Sequence, residues 1–172
     1  MVPRKPWFER HWTFDLPVSA APGLIERLRG TPARVEHRLK GLSTDRLTTR
    51  HNDHWSIQEN VGHLWDLEPM WISRIGDIAV GRLTLQEADL ENRKTFAANH
   101  NTRPLAELQV GLAAARQELV EQLENADEAD WLRAARHPRL KVDMRMLDLA
   151  FFVAEHDDHH LATVTDILRL GE

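Results

Sequence analysis

The sequence predicts an all-α fold, a bundle of four amphipathic helices, and two observations support this. Apolar residues recur at helical spacing in four separate segments of the 172-residue chain. No segment alternates apolar and polar residues with the β-branched enrichment that is typical of a half-buried strand. Because four such helices have only one another to pack against, we expect a bundle whose functional side chains lie on facing helices.

The first helix is predicted between Pro22 and Leu42, and it is interrupted at residues 30–32, where the sequence reads GTP. Thr31 is a good N-cap residue and Pro32 suits a first helical turn. The segment is therefore either one kinked helix or a short turn followed by a second helix.

The second helix has a clearer start. Ser56 is followed three residues later by Glu59, the spacing of a capping box in which each residue satisfies a backbone N–H of the other. The apolar stripe extends to about Ile78. Pro69 lies inside this stripe, and we expect it to bend the helix because proline removes one backbone hydrogen bond.

Two further helices follow a long connection. Residues 81–103 are polar and weakly periodic, which predicts a loop with about one helical turn and favours an overhand connection. The third helix is predicted from Pro104, as its first residue, to near Asn125. After a second loop, the fourth helix is predicted from Met144 to Leu170.

The length is typical of one domain, so residues 1–172 are predicted to form a single domain with an N-terminal arm at 1–20 and the bundle at 21–172. The arm is rich in proline and aromatic residues. We expect these aromatic side chains to pack on an apolar surface, either of the same domain or of a second subunit. They are Trp7, Phe8, Trp12 and Phe14.

The composition excludes several classes of protein. The chain has no apolar run approaching the roughly 18 residues of a membrane span and no apolar segment after its early positive charges, so we expect a cytoplasmic protein without a membrane partner. The formal net charge is −5 and the basic residues are scattered, which argues against a nucleic-acid partner. With no cysteine, any metal site must use His, Asp or Glu.

Two histidines fall inside the apolar stripe of the fourth helix. His156 and His160 are four residues apart, so their rings lie one turn apart on the same face and can reach one cation. Burying two imidazoles without partners is costly, and a metal ion would remove that cost. The alternative, which the spacing leaves open, is a hydrogen-bonded pair of core histidines.

His63, at the edge of the second helix's stripe, is the best candidate for a third ligand. Three histidines with open coordination positions are typical of catalytic metal sites, and an imidazole set suits Zn²⁺, Ni²⁺, Cu²⁺ or Fe²⁺. The remaining tryptophans and histidines named below are predicted to have no role in the metal site. We expect Trp55, Trp65, Trp71 and Trp131 to pack in the core or at helix edges, and His51, His54, His100 and His137 to face solvent.

The sequence HDDHH at residues 156–160 also has the spacing of the H-E-x-x-H motif of zinc proteases. Its second residue is the shorter Asp157, and no histidine follows His160 to serve as a third ligand. The protease interpretation is therefore rejected.

WSIQENVGHLWDLEPMW at residues 55–71 and MLDLAFFVAEHDDHHLATVTDIL at 146–168 together resemble the DinB-like superfamily, which includes the YfiT-like four-helix bundles. ADLENRKT and HNTRPLAEL in the middle of the chain extend the resemblance, which covers roughly residues 24–170. In that superfamily, a histidine of the second helix and two histidines one turn apart on the last helix bind a divalent metal. The matching positions here are His63, His156 and His160.

The resemblance also implies a range of activities. Some relatives are thiol S-transferases that use bacillithiol or mycothiol, some are mycothiol-dependent isomerases, and others are described as metal-dependent hydrolases. The isomerase pattern resembles His, Glu, His, whereas this chain has His156 at the middle position, which argues against isomerisation. The resemblance further implies a homodimer that acts on a small-molecule substrate with a low-molecular-weight thiol as co-substrate.

The leading hypothesis is therefore a metal-dependent enzyme of the thiol S-transferase type, in which the metal activates a thiol or water. Glu59, Asp66 and Asp157 are the candidate catalytic residues, which would orient ligands or move protons. A metal-dependent hydrolase is one alternative. A bundle that binds a metal or a small ligand without catalysis is the other.

Overall fold

The computed structural model of the chain describes residues 4–52 and 54–170. Its helices are α1 (Ala21–Arg29), α2 (Thr31–Leu39), α3 (Thr44–Thr48), α4 (Ile57–Ala79), α5 (Arg93–Ala98), α6 (Leu105–Glu124), α7 (Glu128–Leu132) and α8 (Met146–Arg169). Two short strands, β1 (Ala134–Arg136) and β2 (Asp143–Arg145), lie between α7 and α8. In the described residues no helix is long and apolar enough to cross a membrane.

The predicted four-helix bundle is confirmed. α1 and α2 follow one another across Gly30 and form the first rod, and α4, α6 and α8 form the other three. α4 packs against α6 and α8, and the first rod packs against the same two helices. The buried faces of the four rods form the core, so side chains of α4 and α8 meet in its interior.

Helix α4 begins as the sequence predicts. The Ser56 hydroxyl accepts a hydrogen bond from the Glu59 N–H at 3.1 Å, and the Glu59 carboxylate accepts one from the Ser56 N–H at 2.9 Å. Pro69 lies inside the helix, which continues to Ala79. The bend expected at this proline stays a prediction.

The connection from α4 to α6 is more structured than the predicted loop with one turn. It contains α5 and a short 3-10 helix at His100–Thr102, and Asn92 and Asn99 at the ends of α5 have left-handed backbone conformations. Helix α6 begins one residue later than predicted, with Pro104 as its N-cap rather than its first residue.

The segment predicted as a loop before the last helix contains a helix and a hairpin. α7 spans five residues, and β1 pairs antiparallel with β2, with Ala135 opposite Met144. Each strand has three residues, which is too short to show the alternation that identifies a strand in sequence. Among residues 4–52 and 54–170, β structure is limited to this small sheet and an isolated bridge between Thr84 and Arg136. The hairpin turn projects His137 and Arg139 toward the bundle.

The N-terminal arm packs on the chain's own bundle. Trp7 and Trp12 contact Phe152 of α8, with ring centroids 5.0 and 4.8 Å apart, and Arg10 pairs with Glu155 of the same helix. Of the two surfaces considered for the arm, its own domain is the one it covers in this structure. Residues 1–3 of the predicted arm, Asp53, and the last two residues of the predicted bundle lie outside the described residues.

A buried ionic cluster joins all four rods. The Arg116 guanidinium of α6 pairs with both the Glu68 carboxylate of α4 and the Asp157 carboxylate of α8. It also donates to the Leu28 carbonyl at 3.1 Å, and Asp157 accepts a further hydrogen bond from the Thr31 hydroxyl at 2.7 Å. Because one guanidinium serves two buried carboxylates, the cluster carries excess negative charge when both are ionised.

This charge imbalance predicts a pH effect on stability. Burial, together with the neighbouring Asp157, raises the pKa of Glu68 to about 7 against the pull of Arg116. The native state therefore holds a proton that the unfolded chain releases above the ordinary pKa of Glu68, 4.5. The stabilisation that this bound proton gives the native state is fully present below pH 4.5 and is lost as pH rises through about 7. We expect the free energy of unfolding of the wild type, relative to Glu68→Gln, to fall across this range in urea titrations. A flat difference would contradict the prediction.

Helix α4 approaches the 3-10 helix very closely at Gly62. A Cβ atom at this position would lie 2.2 Å from Cγ of the His100 ring, which is fully buried. Gly76 of the same helix has no described heavy atom within 4 Å of such a Cβ. We expect Gly62→Ala to lower the free energy of unfolding by about 1–3 kcal/mol through overpacking. The control Gly76→Ala should raise it by roughly 0.5–1 kcal/mol. Urea denaturation measures both, and equal effects would contradict the prediction.

Candidate metal centre

Three histidines from two facing helices converge in the bundle. The ring centroids of His63 and His160 are 4.8 Å apart, those of His63 and His156 are 5.3 Å apart, and those of His156 and His160 are 4.6 Å apart. One nitrogen from each ring lies within 4.8 Å of the other two. All three side chains are buried. The structure thus brings together the three residues that the sequence predicts as metal ligands.

The His160 ring is oriented by Asn60 of α4. Its Nδ1 lies 2.8 Å from the Asn60 Oδ1. The Asn60 amide nitrogen donates to the Ser56 carbonyl at 2.8 Å, which identifies Oδ1 as the atom that faces His160. His160 therefore donates from Nδ1, and the lone pair on Nε2 remains available as a ligand.

The His63 ring is oriented by the α4–α6 connection. Its Nδ1 lies 3.0 Å from the Thr95 hydroxyl. Asp66, three residues further along α4, lies 2.8 Å from Nε2 of His100. Burial opposes ionisation of this carboxyl, but the neighbouring His100 and Thr95 outweigh it and lower the pKa of Asp66. Because Thr95 occupies Nδ1 of His63, Nε2 is the nitrogen left for a metal ion.

His156 has no hydrogen-bond partner among residues 4–52 and 54–170, and its Nδ1 is inaccessible to solvent. Aromatic rings surround it, with the centroids of Trp7 and Trp71 at 5.0 and 5.7 Å. An unpaired buried imidazole is costly, and coordination to a cation shared with His63 and His160 would remove that cost. The donor set and the unpaired ring both fit a divalent metal.

The three imidazoles are neutral near pH 7, as metal ligands must be. Burial lowers the pKa of His63 to about 4. Burial, followed by repulsion from neighbouring histidines, lowers the pKa values of His156 and His160 well below the ordinary value.

A cavity of about 510 Å³ opens beside the three histidines. Its wall next to the rings is mostly aromatic, which keeps water away from a bound ligand. The aromatic side chains that line it are Trp7, Phe8, Trp55, Trp71 and Phe152. Of the four tryptophans predicted to be structural, Trp131 is buried in the core and Trp65 packs against the core, whereas Trp55 and Trp71 also face the cavity.

The three candidate catalytic carboxylates lie outside the cavity wall formed by the described residues. Asp66 pairs with His100, which lies outside the cluster of three histidines. Glu59 caps α4 and pairs with Arg50, and Asp157 belongs to the buried cluster around Arg116. Their catalytic role stays a prediction, since the observed contacts connect them to histidine-bearing helices rather than to the open side of the site.

Two loop histidines are buried, contrary to the prediction that they face solvent. His100 is fully buried against Gly62, and His137 is 2% exposed beside Arg74. The loops that carry them fold back onto the bundle. The local sequence does not predict this packing, because the contacts are with residues far away in the chain. Asn60 and Thr95 were also missed as partners of the histidines. Asn60 is a polar residue inside the apolar stripe of α4, and this position indicates a side chain with a buried hydrogen-bond partner.

The sequence model of the DinB superfamily matches residues 27–164 of the chain. The chain belongs to the DinB superfamily. This match confirms the resemblance drawn from the histidine motifs and from the capped helix. No functionally curated protein matches the chain.

Two solved structures support the DinB-type fold. YfiT from Bacillus subtilis, described as a "probable metal-dependent hydrolase with an unusual four-helix bundle topology", aligns with a TM-score of 0.82 and 18% identity over 95% of this chain and 94% of its own. The mycothiol-dependent maleylpyruvate isomerase aligns with a TM-score of 0.67 and 11% identity over 86% of this chain and 60% of its own. At these identities the similarity establishes the fold alone.

Proposed function

We propose that this DinB-superfamily protein is a metal-dependent enzyme that attaches a low-molecular-weight thiol of the bacillithiol or mycothiol class to an electrophilic small molecule. His63, His156 and His160 hold the divalent ion. The observation that carries the proposal is the convergence of three buried, neutral imidazoles beside a cavity of substrate size.

The arrangement favours a reactive site over a purely structural one. Structural zinc sites usually have four protein ligands, whereas the described residues supply a cluster of three with open space beside it. His63, His156 and His160 would hold a divalent ion, and its Lewis acidity would make a thiol or water a nucleophile at neutral pH.

The protein's own residues prepare this site. Asn60 fixes the tautomer and ring plane of His160, Thr95 contacts Nδ1 of His63, and Asp66 holds the α4–α6 connection against α4 through His100. Glu59 and Asp157 hold α4 and α8 in place through their contacts with Arg50 and Arg116. In this proposal, all three carboxylates position the ligands and do not contact the substrate.

A thiol co-substrate is consistent with the composition of the chain. The chain has no cysteine, so a sulfur nucleophile must come from a second molecule. One structural neighbour is a mycothiol-dependent isomerase, which shows that the fold accommodates thiol-dependent chemistry in that protein. Hydrolysis is the second candidate, favoured by the description of YfiT, and it would use water at the same position.

Metal content and thiol transfer together test the proposal. Protein purified without a histidine tag should contain about one Zn, Ni or Fe per chain by elemental analysis. The metal-loaded protein should accelerate conjugation of bacillithiol or mycothiol to monochlorobimane, and a chelator should abolish this acceleration.

A panel of esters without thiol distinguishes the hydrolase candidate. Turnover of an ester in place of thiol conjugation would favour hydrolysis. Stoichiometric metal without turnover of any thiol or ester would indicate a binding protein. The homodimer and the cytoplasmic location stay predictions, and light scattering of the purified protein measures the first.

A further inference from the structure

The cavity has a second polar end, formed by α4 and the β1–β2 hairpin. Arg74 of α4 and His137 and Arg139 of the hairpin turn line the same cavity as the three histidines. Trp71 and Phe152 line the wall as well, and the Phe152 ring lies 5.5 Å from His137 and 6.1 Å from Trp71.

Arg74 is a buried cation without a carboxylate partner among the described residues. Its side chain is 1% exposed. Nε donates to the Gln86 carbonyl at 2.9 Å and Nη1 lies 3.3 Å from Nε2 of His137, whereas Nη2 has no hydrogen bond to residues 4–52 or 54–170. Burial, followed by repulsion from Arg139, lowers the pKa of Arg74 to about 10 against the attraction of Asp77, so the group remains charged at neutral pH. The guanidinium lies 5.3 Å from the centre of the Trp71 ring, but it has no hydrogen-bonded anion, and a buried charge without one is costly.

The His137 ring has more donors around it than it can accept from. The Arg74 Nη1 faces Nε2 at 3.3 Å, and the backbone N–H groups of Arg139 and Leu140 face Nδ1, both at 3.2 Å. Burial lowers the pKa of His137 to about 4, so the ring is neutral and only one of its nitrogens can accept. In either tautomer, an N–H of the ring therefore meets another donor. An anionic oxygen beside Arg74 and His137 would supply the missing acceptor.

Arg139 adds a second cation at this end. Its guanidinium lies over the Phe8 ring at 5.0 Å and makes no ion pair with a described residue. Glu87 and Asp89 also line the cavity, but both are exposed and neither pairs with Arg74 or Arg139. These two acids lie at the cavity rim, so the buried end remains positively charged.

We infer that Arg74, Arg139 and His137 form an anion subsite, which binds the carboxylate or phosphate group of a small organic anion. The apolar body of this ligand lies along Trp71 and Phe152 and directs its other end toward His63, His156 and His160. The assignment of this anion as the substrate rests on the proposed function. The binding itself does not, because the subsite contains no metal ligand.

Ligand binding to chelator-treated protein tests the subsite independently of catalysis. The probes are 3-phenylpropionate, phenyl phosphate and the neutral 3-phenylpropionamide, followed by tryptophan fluorescence and ligand-observed NMR. We expect at least one anion to bind about tenfold or more tightly than the amide, since a charge-assisted hydrogen bond contributes that much. The stronger anion identifies the carboxylate or the phosphate as the preferred group.

The variants locate the binding. Arg139→Gln and Arg74→Gln should each weaken anion binding about tenfold or more, and circular dichroism checks that each is folded. If Arg74→Gln fails to fold, the half-buried Arg139 decides the question. His160→Ala should retain anion binding, and Arg29→Gln, a distant surface change of equal charge, should leave it unchanged. Equal binding of amide and anions, no binding of any probe, or undiminished binding in Arg139→Gln would overturn the inference.

Discussion

His160→Ala is expected to lose both the bound metal and any metal-dependent turnover. Loss of a hydrogen-bond partner of a ligand typically lowers metal affinity about 10- to 100-fold, and loss of a ligand itself costs more. In this variant His63 and His156 would remain, and the Asn60 oxygen would lose its donor. Elemental analysis after dialysis, together with the bimane conjugation assay, measures the result.

The same variant should lose the stabilisation that metal provides. A ligand present at 100 times its dissociation constant stabilises the native state by about 2.7 kcal/mol. Added metal should therefore raise the melting temperature of the wild type and not that of His160→Ala. His159→Ala is the matched control, since His159 lies on the same helix and lines the cavity but does not belong to the cluster of three. If both variants retained one metal per chain, the proposed ligand set would be wrong.

Arg116→Met is expected to lower the free energy of unfolding by about 3–5 kcal/mol. The substitution would leave the Glu68 and Asp157 carboxylates buried without their guanidinium, at the point where α4, α6 and α8 meet. Methionine retains much of the length of the side chain, so the effect would come mainly from the lost charge. Urea denaturation near pH 7.5 measures it.

Arg29→Gln provides the control for Arg116→Met. Arg29 pairs with Glu26 and Glu124 on the exposed surface, where solvent screens the interaction. Its replacement should leave the unfolding midpoint nearly unchanged. At pH 5, where Glu68 holds its proton, the effect of Arg116→Met should also be smaller than at pH 7.5. An equally small effect for both substitutions would show that the buried cluster does not hold the rods together.

The bundle was predictable because its signals are local. Ser56 and Glu59 mark the start of α4 within four residues, and the helical spacing of apolar residues marks the four rods. The pairing of His156 with His160 was predictable for the same reason, since residues four apart lie on one face of a helix. Local signals failed where elements were short, as in α7 and the three-residue strands.

The partners of the histidines depended on long-range packing. Thr95 lies 32 residues from His63, and Asn60 lies 100 residues from His160. The placement of Trp7 over His156 likewise required the path of the arm across α8. None of these contacts follows from helical periodicity, because periodicity fixes which face of a helix is buried but not which residue it meets.

Four amphipathic rods and a histidine pair on the buried face of the last one follow from local sequence, because capping and periodicity act within a few residues. Packing between distant segments places His63 beside that pair, brings Arg116 to carboxylates of two helices, and brings His137 and Arg139 of the hairpin to the cavity of the histidines. These arrangements depend on how the rods and loops pack together, and the free energy of that packing comes from contacts between residues far apart in the chain.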